Sequence, residues 1–281
     1  MKHEIIIGDC LDSLAELPPD TFQTCITSPP YYQLRDYGVD GQIGLEDSLE
    51  EHISALVDVF RAVRRVLRPD GTLWLNYGDA YQDKQLLGLP WRLAFALQAD
   101  GWWLRSDIIW HKPNPMPSSV TDRPTSSHEY MFLLSPSQKY FYDADAVREK
   151  AVKKIGSNGD FGNKNAAARN VKELTGNMAP GSKYLTKEFR NLRDVWTIPP
   201  HALSAAHFAT FPPKLVEPCI KAGSRPGDKV LDPFGGAGTV GLVADRLGRD
   251  STLLELNPEY AELARKRLID DAPLLCEVKI L

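Results

Sequence analysis

The stretch KVLDPFGGAGTVGLVADRL, residues 229–247, joins a short apolar run to a helical pattern through a glycine-rich turn. Lys229 to Asp232 predicts a strand, and Thr239 to Leu247 predicts a helix. The pattern then repeats, with a strand predicted over Ser251–Glu255 and a helix over Pro258–Leu268. Strands that alternate with helices form a parallel sheet with helices on its faces, so these residues predict an α/β fold.

The glycine turn has the character of a loop that binds a nucleoside. Gly235 and Gly238 allow the backbone to pass close to a ligand and tolerate positive φ. No lysine follows the glycines as in GxxxxGK[ST], so phosphate binding of the P-loop kind is not favoured. Glu255 ends the next predicted strand, where its carboxylate can accept hydrogen bonds from both hydroxyls of an unphosphorylated ribose. A nucleoside-containing cofactor without a pyrophosphate is therefore expected, and S-adenosylmethionine fits this description.

The N-terminal half continues the α/β pattern. Apolar runs over Glu4–Ile7 and Thr24–Thr27 predict strands, and Asp47 and Glu50 have the spacing of a capping box before a helix. The peptide Pro69-Asp70-Gly71 predicts a turn. The remaining predicted elements are a strand over Thr72–Tyr77, a helix over Trp91–Gln98, strands over Leu104–Trp110, Glu129–Leu134 and Tyr140–Tyr142, and a helix over Pro212–Ala222.

The tetrapeptide Ser28-Pro29-Pro30-Tyr31 follows the second predicted strand. Two prolines fix φ and remove two backbone donors, so their carbonyls remain as acceptors. Ser28 adds a hydroxyl acceptor, and Tyr31 adds an aromatic face. This set suits a flipped nucleic-acid base, whose amino group is held by acceptors while its ring is stacked. Taken alone, the tetrapeptide is equally a rigid turn that ends a strand.

Together these motifs resemble the beta group of amino-methylating DNA methyltransferases. Ser28-Pro29-Pro30-Tyr31 matches the family's [DSN]PP[YFW] tetrapeptide, and residues 232–239 match its cofactor loop. The catalytic peptide precedes the cofactor loop, which is the circularly permuted motif order of this group. The resemblance implies a Rossmann-like methyltransferase sheet, S-adenosylmethionine as the cofactor and double-stranded DNA as the partner.

The resemblance also implies which residues form the site. The catalytic candidates are Ser28, Pro29, Pro30 and Tyr31. The candidates for cofactor binding are Asp9, Cys10, Thr27, His207, Ala209, Thr210, Phe211, Asp232, Pro233, Phe234, Gly235, Gly238, Thr239, Glu255, Leu256 and Asn257. The proline-rich segment from His111 to Pro117, continuing to His128-Glu129, resembles a loop beside the flipped base, although a plain connection between strands is the alternative.

A basic segment separates the two matched halves. Residues 150–195 contain ten Lys/Arg and four acidic residues, in a chain whose net charge is −4. On charge alone this segment is either a phosphate-facing element or a solvated loop. In the family this position holds the target recognition domain, so the resemblance divides the chain into a catalytic half (1–149), a recognition insert (150–195) and a cofactor-binding half (196–281). The candidate DNA contacts are Lys153, Lys154, Arg169, Arg190 and Arg193.

The reaction that the resemblance implies is methylation of the exocyclic N4 of cytosine. Family members with Ser in the first tetrapeptide position mostly methylate cytosine and those with Asp mostly adenine, so adenine N6 is the alternative target. Pro218-Cys219 lies in a predicted helix without a Glu-Asn-Val partner peptide, which argues against carbon-5 methylation. A catalytically idle, cofactor-sensing DNA-binding protein is the alternative of another class. Methylation of a protein amide is a further one, for which the family usually has Asn in place of Ser28.

Composition limits the class of protein and its compartment. The apolar fraction of 43% and the charged fraction of 25% are ordinary for a soluble globular protein. No apolar run predicts a membrane span, and the N-terminus lacks a signal-peptide pattern. The four cysteines form no CxxC pair, so neither a metal site nor a disulfide framework is predicted and the cytoplasm is expected. The resemblance adds a homodimer and a cognate restriction endonuclease as possible partners.

Overall fold

The structure, a computed structural model, describes residues 1–36, 38–151, 188–200, 212–272 and 276–281. It divides the chain into two compact units. The first contains residues 1–147 and 193–281, and the second contains residues 148–192.

The helices and strands of the first unit alternate along most of the chain. Before residue 148 they are β1 (Lys2–Ile7), α1 (Cys10–Glu16), β2 (Phe22–Thr27), α2 (Leu49–Val66), β3 (Leu67–Tyr77), β4 (Tyr81–Gln82), β5 (Gln85–Leu86), α3 (Leu89–Ala99), β6 (Trp103–His111) and β7 (His128–Ser135). The second unit contributes the antiparallel pair β8 (Glu149–Lys150) and β9 (Phe189–Arg190). The first unit then continues with β10 (Val195–Thr197), α4 (Pro213–Gly223), β11 (Lys229–Asp232), α5 (Thr239–Arg246), β12 (Asp250–Glu255), α6 (Pro258–Asp271) and β13 (Glu277–Ile280).

One large sheet organises the first unit. Its strands follow the order β10-β6-β7-β3-β2-β11-β12-β1-β13, and every neighbouring pair is parallel except the two pairs that include β7. All six residues of β2 are buried, as expected for a central strand covered by helices on both faces. The predicted α/β fold with a mostly parallel sheet is therefore confirmed.

Helix α2 shows how the sequence builds the core. Its apolar residues recur at helical spacing, and Leu56, Phe60 and Val63 are fully buried. Burying each such side chain contributes about 1.5–3 kcal/mol relative to leaving it exposed. The helix begins at a capping box formed by Ser48 and Glu51. The predicted pair Asp47 and Glu50 was wrong by one residue, because it is the Ser48 side chain that accepts from the backbone N–H of Glu51.

Two further local predictions were wrong. Pro69-Asp70-Gly71 was predicted as a turn but lies within β3. Phe22 of β2 pairs with Leu67 and Thr24 pairs with Thr72. More residues of β3 than of β2 lie between these two pairs, so this part of β3 bulges. The predicted strand Tyr140–Tyr142 is absent. The backbone N–H of Phe141 donates to the Asp70 carbonyl, and the next bond, from Asp143, goes to Ala222 in α4, so no ladder forms.

Helix α4 carries the Pro-Cys pair that the sequence raised as a nucleophile. Cys219 is fully buried, and its thiol donates to the carbonyl of Leu215 within the same helix. Burial raises the pKa of this thiol well above its ordinary value. Cys219 is therefore a core residue and not an accessible nucleophile. Within the part of the chain that the structure describes, no helix is long and apolar enough to cross a membrane.

Candidate active site

A cleft lies where the connections of the sheet diverge. The chain leaves β11 through α5 toward β12 on one side, and it leaves β2 through α2 toward β3 on the other. Open α/β sheets bind ligands at such a point, beyond the carboxyl ends of the strands. The cleft has a volume of about 340 Å³. Its wall includes most of the predicted site residues: Asp9, Cys10, Ser28, Pro29, Pro30, Tyr31, Pro233, Phe234, Gly235, Thr239, Glu255, Leu256 and Asn257.

The glycine turn passes close over the end of β12. The backbone N–H of Gly235 donates to the Leu254 carbonyl at 2.7 Å, and a Cβ on Gly235 would lie 2.9 Å from the Cβ of Leu253. Gly238 has a positive φ of 74° but does not line the cleft. A Cβ there would lie 2.8 Å from the Cβ of Ala264, so this glycine allows α5 to pack against α6.

Glu255 joins the glycine turn to the start of α6. One carboxylate oxygen accepts from the backbone N–H of Gly236 at 2.7 Å, and the other accepts from Asn257 at 2.9 Å. Burial raises the pKa of Glu255, while these two backbone bonds act in the opposite direction. Each oxygen retains acceptor capacity, so the carboxylate can also receive hydroxyl donors from a ligand in the cleft.

Asp232 and Thr27 lie beneath the cleft rather than on its wall. Both are buried, and the Thr27 hydroxyl donates to Oδ1 of Asp232 at 2.7 Å. The backbone N–H of Phe234 donates to the same oxygen at 3.1 Å. Burial raises the pKa of Asp232 to about 7, and the charge of Glu255 adds to the rise, whereas the two hydrogen bonds oppose it. Asp232 therefore holds the glycine turn in place from below.

The end of β1 forms another part of the wall. The backbone N–H of Gly8 donates to the Glu255 carbonyl at 3.1 Å, which places Asp9 and Cys10 beside β12. The Asp9 carboxylate caps α1 by accepting from Leu11 and Asp12. Burial, followed by the charge of Asp9, raises the pKa of the Cys10 thiol to about 12, so Cys10 is a neutral lining group at pH 7.

The tetrapeptide occupies the other end of the cleft and is tied to strands β6 and β7. The Tyr31 hydroxyl donates to Oε2 of Glu129 at 2.8 Å. The same carboxylate accepts from Asn76 Nδ2 at 3.2 Å and forms an ion pair with Lys112. Burial, then the charge of Glu129, raises the pKa of Tyr31 well above its ordinary value, whereas a hydrogen bond with Ser28 lowers it. Tyr31 thus connects Ser28 to a charged pair.

The Tyr31 ring is held by close packing. It meets Tyr77 edge to face, with ring centroids 5.0 Å apart. A Cβ on Gly78 would lie 2.7 Å from Cε2 of Tyr31 and 3.3 Å from the Glu129 side chain, so only glycine leaves room for both. Behind Tyr77, the buried His52 hydrogen-bonds to the Tyr77 hydroxyl at 2.6 Å and to Glu46 at 2.7 Å. Burial lowers the pKa of His52, and Glu46 opposes that shift.

Some predicted residues are not part of the described cleft. Several lie outside the described residues: Lys153, Lys154, Arg169, His207, Ala209, Thr210 and Phe211. Arg190, in the second unit, pairs with Glu149 at 3.1 Å. The carbonyl of Arg193 accepts a hydrogen bond from the Trp196 indole at 2.7 Å.

Several residues that line the cleft were not predicted from the sequence. They are Gly8, Leu34, Arg35, Val39, Gly41, Gln42, Ile43, Asn76, Trp110, Lys112, Glu129, Pro200, Gly236, Ala237, Leu254 and Tyr260. Lys112 and Glu129 belong to the proline-rich segment and its continuation that resemble a loop beside the flipped base. That resemblance is the one sequence signal that could have identified them. Their proximity depends on the antiparallel pairing of β6 with β7, in which His111 faces His128.

Most of the chain is similar to known DNA methyltransferases. The family model of N6/N4 methyltransferases, described as DNA methylase, matches residues 22–266. The Type II methyltransferase M.Cfr9I of Citrobacter freundii is 44% identical over 290 residues, which cover 93% of this chain and 86% of the relative. M.SmaI of Serratia marcescens, also a Type II methyltransferase, is 43% identical over 295 residues, which cover 95% and 90%.

Solved structures share the fold. TTHA0409 of Thermus thermophilus, described as a DNA modification methylase and solved in complex with S-adenosyl-L-methionine, is 25% identical with a TM-score of 0.67 and covers 99% of each chain. The PvuII DNA methyltransferase, described as cytosine-N4-specific, is 21% identical with a TM-score of 0.70, covering 100% of this chain and 95% of its own. At that identity the second likeness shows the fold alone. The match over residues 22–266 and the relatives similar along nearly the whole chain establish that the protein belongs to the N6/N4 family of DNA methylases.

Proposed function

We propose that this methyltransferase transfers a methyl group from S-adenosylmethionine to the exocyclic N4 of a flipped cytosine in double-stranded DNA. The observation that carries the proposal is the shared cleft, since Ser28 and Tyr31 line the same cavity as Gly235 and Glu255. A base held by the first pair and a nucleoside held by the second pair would be confined together. Such confinement converts a bimolecular step into an effectively unimolecular one and supplies much of the rate.

The cofactor end of the cleft fits S-adenosylmethionine. Glu255 has acceptor capacity for the ribose hydroxyls, and Phe234 and Leu256 provide apolar lining for an adenine ring. Because Gly235 and Gly236 have no side chains, the backbone of the glycine turn can lie close to the bound cofactor. When bound, S-adenosylmethionine supplies an electrophilic methyl group on its sulfonium. By resemblance, His207, Ala209, Thr210 and Phe211 would complete this site.

The tetrapeptide acts on the amino group of the base. The lone pair of an exocyclic amine is delocalised into the ring, so the nitrogen is a weak nucleophile until its pyramidal form is favoured. The Ser28 hydroxyl and the Pro29 carbonyl would accept the two N–H groups and stabilise the positive charge that develops on nitrogen. Tyr31 would stack on the ring. After transfer the nitrogen can release its proton to water, so no dedicated base is required.

Cytosine is proposed over adenine because the first tetrapeptide residue is Ser28, a neutral acceptor. In the family, Ser at this position accompanies cytosine more often than adenine. Adenine N6 is the second candidate, because Ser28 and Pro29 would accept from its amino group in the same way.

The experiment that tests the assignment identifies the methylated nucleoside. DNA methylated by the purified protein with labelled S-adenosylmethionine is digested to nucleosides and analysed by mass spectrometry. N4-methylcytosine supports the proposal, and N6-methyladenine as the sole product contradicts the base assignment. The absence of any methylated nucleoside, with cofactor binding intact, would favour a catalytically idle DNA-binding protein.

The recognition and assembly of the enzyme are part of the same proposal. Residues 150–195 would contact DNA. In sequence they follow a catalytic half, residues 1–149, and precede a cofactor-binding half, residues 196–281. A cognate restriction endonuclease would cleave the same site, which predicts that DNA from cells expressing the enzyme resists that nuclease. A homodimer is expected from the family resemblance and is checked by sedimentation.

A further inference from the structure

The base end of the cleft contains a cation that the reaction described above does not use. Among the described residues that line the cleft, Lys112 and Arg35 are the two cations. Lys112 lies at the end of β6, immediately after His111, and its side chain is 21% exposed. It is connected to the tetrapeptide through Glu129, which also accepts the hydrogen bond from Tyr31.

The Lys112 ammonium is held in place and keeps free donors. It pairs with Oε1 of Glu129, and its Nζ lies 4.4 Å from the centroid of the Trp110 ring. A lysine ammonium has three N–H donors, so donors remain for a ligand in the cleft. The neighbouring Asn76 has none to offer, because its amide nitrogen already donates to Glu129 and to the Tyr130 carbonyl.

Cytosine and adenine differ at the position that such a donor can read. Both bases present an amino group followed by an acceptor ring nitrogen. The next position is the O2 carbonyl in cytosine and a C2–H group in adenine. A site that donates a hydrogen bond at this position favours cytosine and leaves the donor unpaired opposite adenine, which discriminates strongly in a desolvated pocket.

We propose that Lys112 selects cytosine over adenine by donating a hydrogen bond from its ammonium to the O2 carbonyl of the target base, with Glu129 positioning that ammonium. The inference rests on the proposed N4-cytosine activity. It assigns one task to each end of the base: Ser28 at the amino group, and Lys112 at O2. Glu129 is a positioning residue, because it acts through Lys112.

The test pairs a change in the enzyme with a change in the substrate. The methylated site is first mapped, and duplex oligonucleotides are made with cytosine or 2-thiocytosine at the target, since sulfur is a weak acceptor. Lys112→Met removes the charge and the donors at similar length. Lys229→Met, at the opposite end of β11 from the cleft and exposed, is the matched control. S-adenosylmethionine binding by calorimetry shows that each variant is folded, and Lys112→Leu, which also lacks a donor, replaces a Met variant that does not bind.

The expected result is that the two changes are not additive. Wild type and Lys229→Met should lose about ten- to a hundredfold in kcat/KM when O2 becomes sulfur, the range for one hydrogen bond to a charged group. Lys112→Met should lose a similar factor on cytosine and show little further loss on 2-thiocytosine. A steric effect of sulfur would persist in the variant, so non-additivity identifies the contact.

Other outcomes overturn the inference. If wild type is insensitive to the thio substitution, or if the two losses multiply, Lys112 does not read O2. If Lys112→Met lowers DNA affinity for both substrates equally and flattens its salt dependence, Lys112 contacts phosphate instead. A wild-type product of N6-methyladenine alone overturns the base assignment and this inference together, whereas N4-methylcytosine with multiplicative losses overturns only the role of Lys112.

Discussion

The Thr27 hydroxyl donates to Oδ1 of Asp232 at 2.7 Å and thereby joins the carboxyl ends of β2 and β11. These two strands are neighbours at the point where the connections of the sheet diverge. The strand before the catalytic tetrapeptide and the strand before the glycine turn are therefore linked by one side-chain bond. That bond couples the position of Ser28 to the position of the cofactor loop.

The stability of the enzyme should depend on pH through Asp232. Because burial raises the pKa of Asp232 to about 7 in the folded state, the folded protein holds this proton when the unfolded chain has lost it. The free-energy cost of ionising Asp232 in the folded protein is absent below the unfolded-state pKa of about 4. It is fully present above the folded-state pKa. Relative to Asp232→Asn, the wild-type free energy of unfolding should fall between about pH 4 and 7, by up to about 4 kcal/mol.

Asp232→Asn is a suitable reference, because both hydrogen bonds to the Asp232 carboxylate are accepted by one of its two oxygens. Thr27 and Phe234 donate to Oδ1, and an amide carbonyl can accept both. Urea denaturation without cofactor, repeated across this pH range, measures the difference. If the two proteins have parallel profiles, Asp232 titrates normally and the bond with Thr27 has no electrostatic consequence.

Glu255→Ala should weaken the binding of S-adenosylmethionine by about 1–3 kcal/mol, because charged hydrogen bonds to the ligand disappear. The variant also removes the acceptors for the N–H groups of Gly236 and Asn257, which loosens the turn. Glu255→Gln, which retains one acceptor oxygen, should lose less. Calorimetry measures both affinities, and an unchanged affinity in Glu255→Ala would remove this residue from the cofactor site.

How much of this could be predicted from sequence differs between the two ends of the cleft. The glycine turn and Glu255 are near in sequence and bounded by strong turn residues, so the unit from β11 to α6 was predictable. Lys112 and Glu129 meet across the antiparallel pairing of β6 and β7, and no periodicity in either segment specifies that register. Short elements such as α1 and the edge strands β10 and β13 carry too few residues for a pattern.

The local predictions that were wrong also depend on contacts that the sequence pattern does not specify. The apolar spacing found α2, but its capping box lies one residue later because Ser48, not Asp47, faces the N–H of Glu51. The aromatic residues of Tyr140–Tyr142 suggested a strand, yet the hydrogen bonds of that segment go to β3 and α4. In both cases a tertiary or capping contact decides the structure, and composition alone does not encode it.

The basic insert should provide the salt dependence of DNA binding. Replacing Lys153, Lys154 and Arg169 with Gln should weaken binding and flatten the log–log salt slope, by up to about 0.9 for each phosphate that is no longer neutralised. Arg190 is a poorer choice because it pairs with Glu149. The charge-matched control, which should leave the slope unchanged, replaces three exposed lysines of the first unit: Lys139, Lys229 and Lys266. An insert variant with the wild-type slope would identify the segment as a solvated loop.

Ser28→Ala should reduce turnover by about a hundredfold or more while leaving the cofactor site intact. The hydroxyl is proposed to accept from the amino group at the point where positive charge develops, and preorganised polar groups of this kind typically contribute that much. The loss should appear in kcat rather than in KM, because the interaction strengthens only as the methyl group arrives. Single-turnover kinetics on a saturating DNA duplex measures it, with calorimetry as the check on cofactor affinity. Tyr31→Phe is the comparison variant: it keeps the stacking ring and loses the donor to Glu129, so it should retain most activity. If Ser28→Ala turns over at the wild-type rate, the Pro29 carbonyl alone must hold the amino group, and the tetrapeptide serves mainly to shape the base pocket.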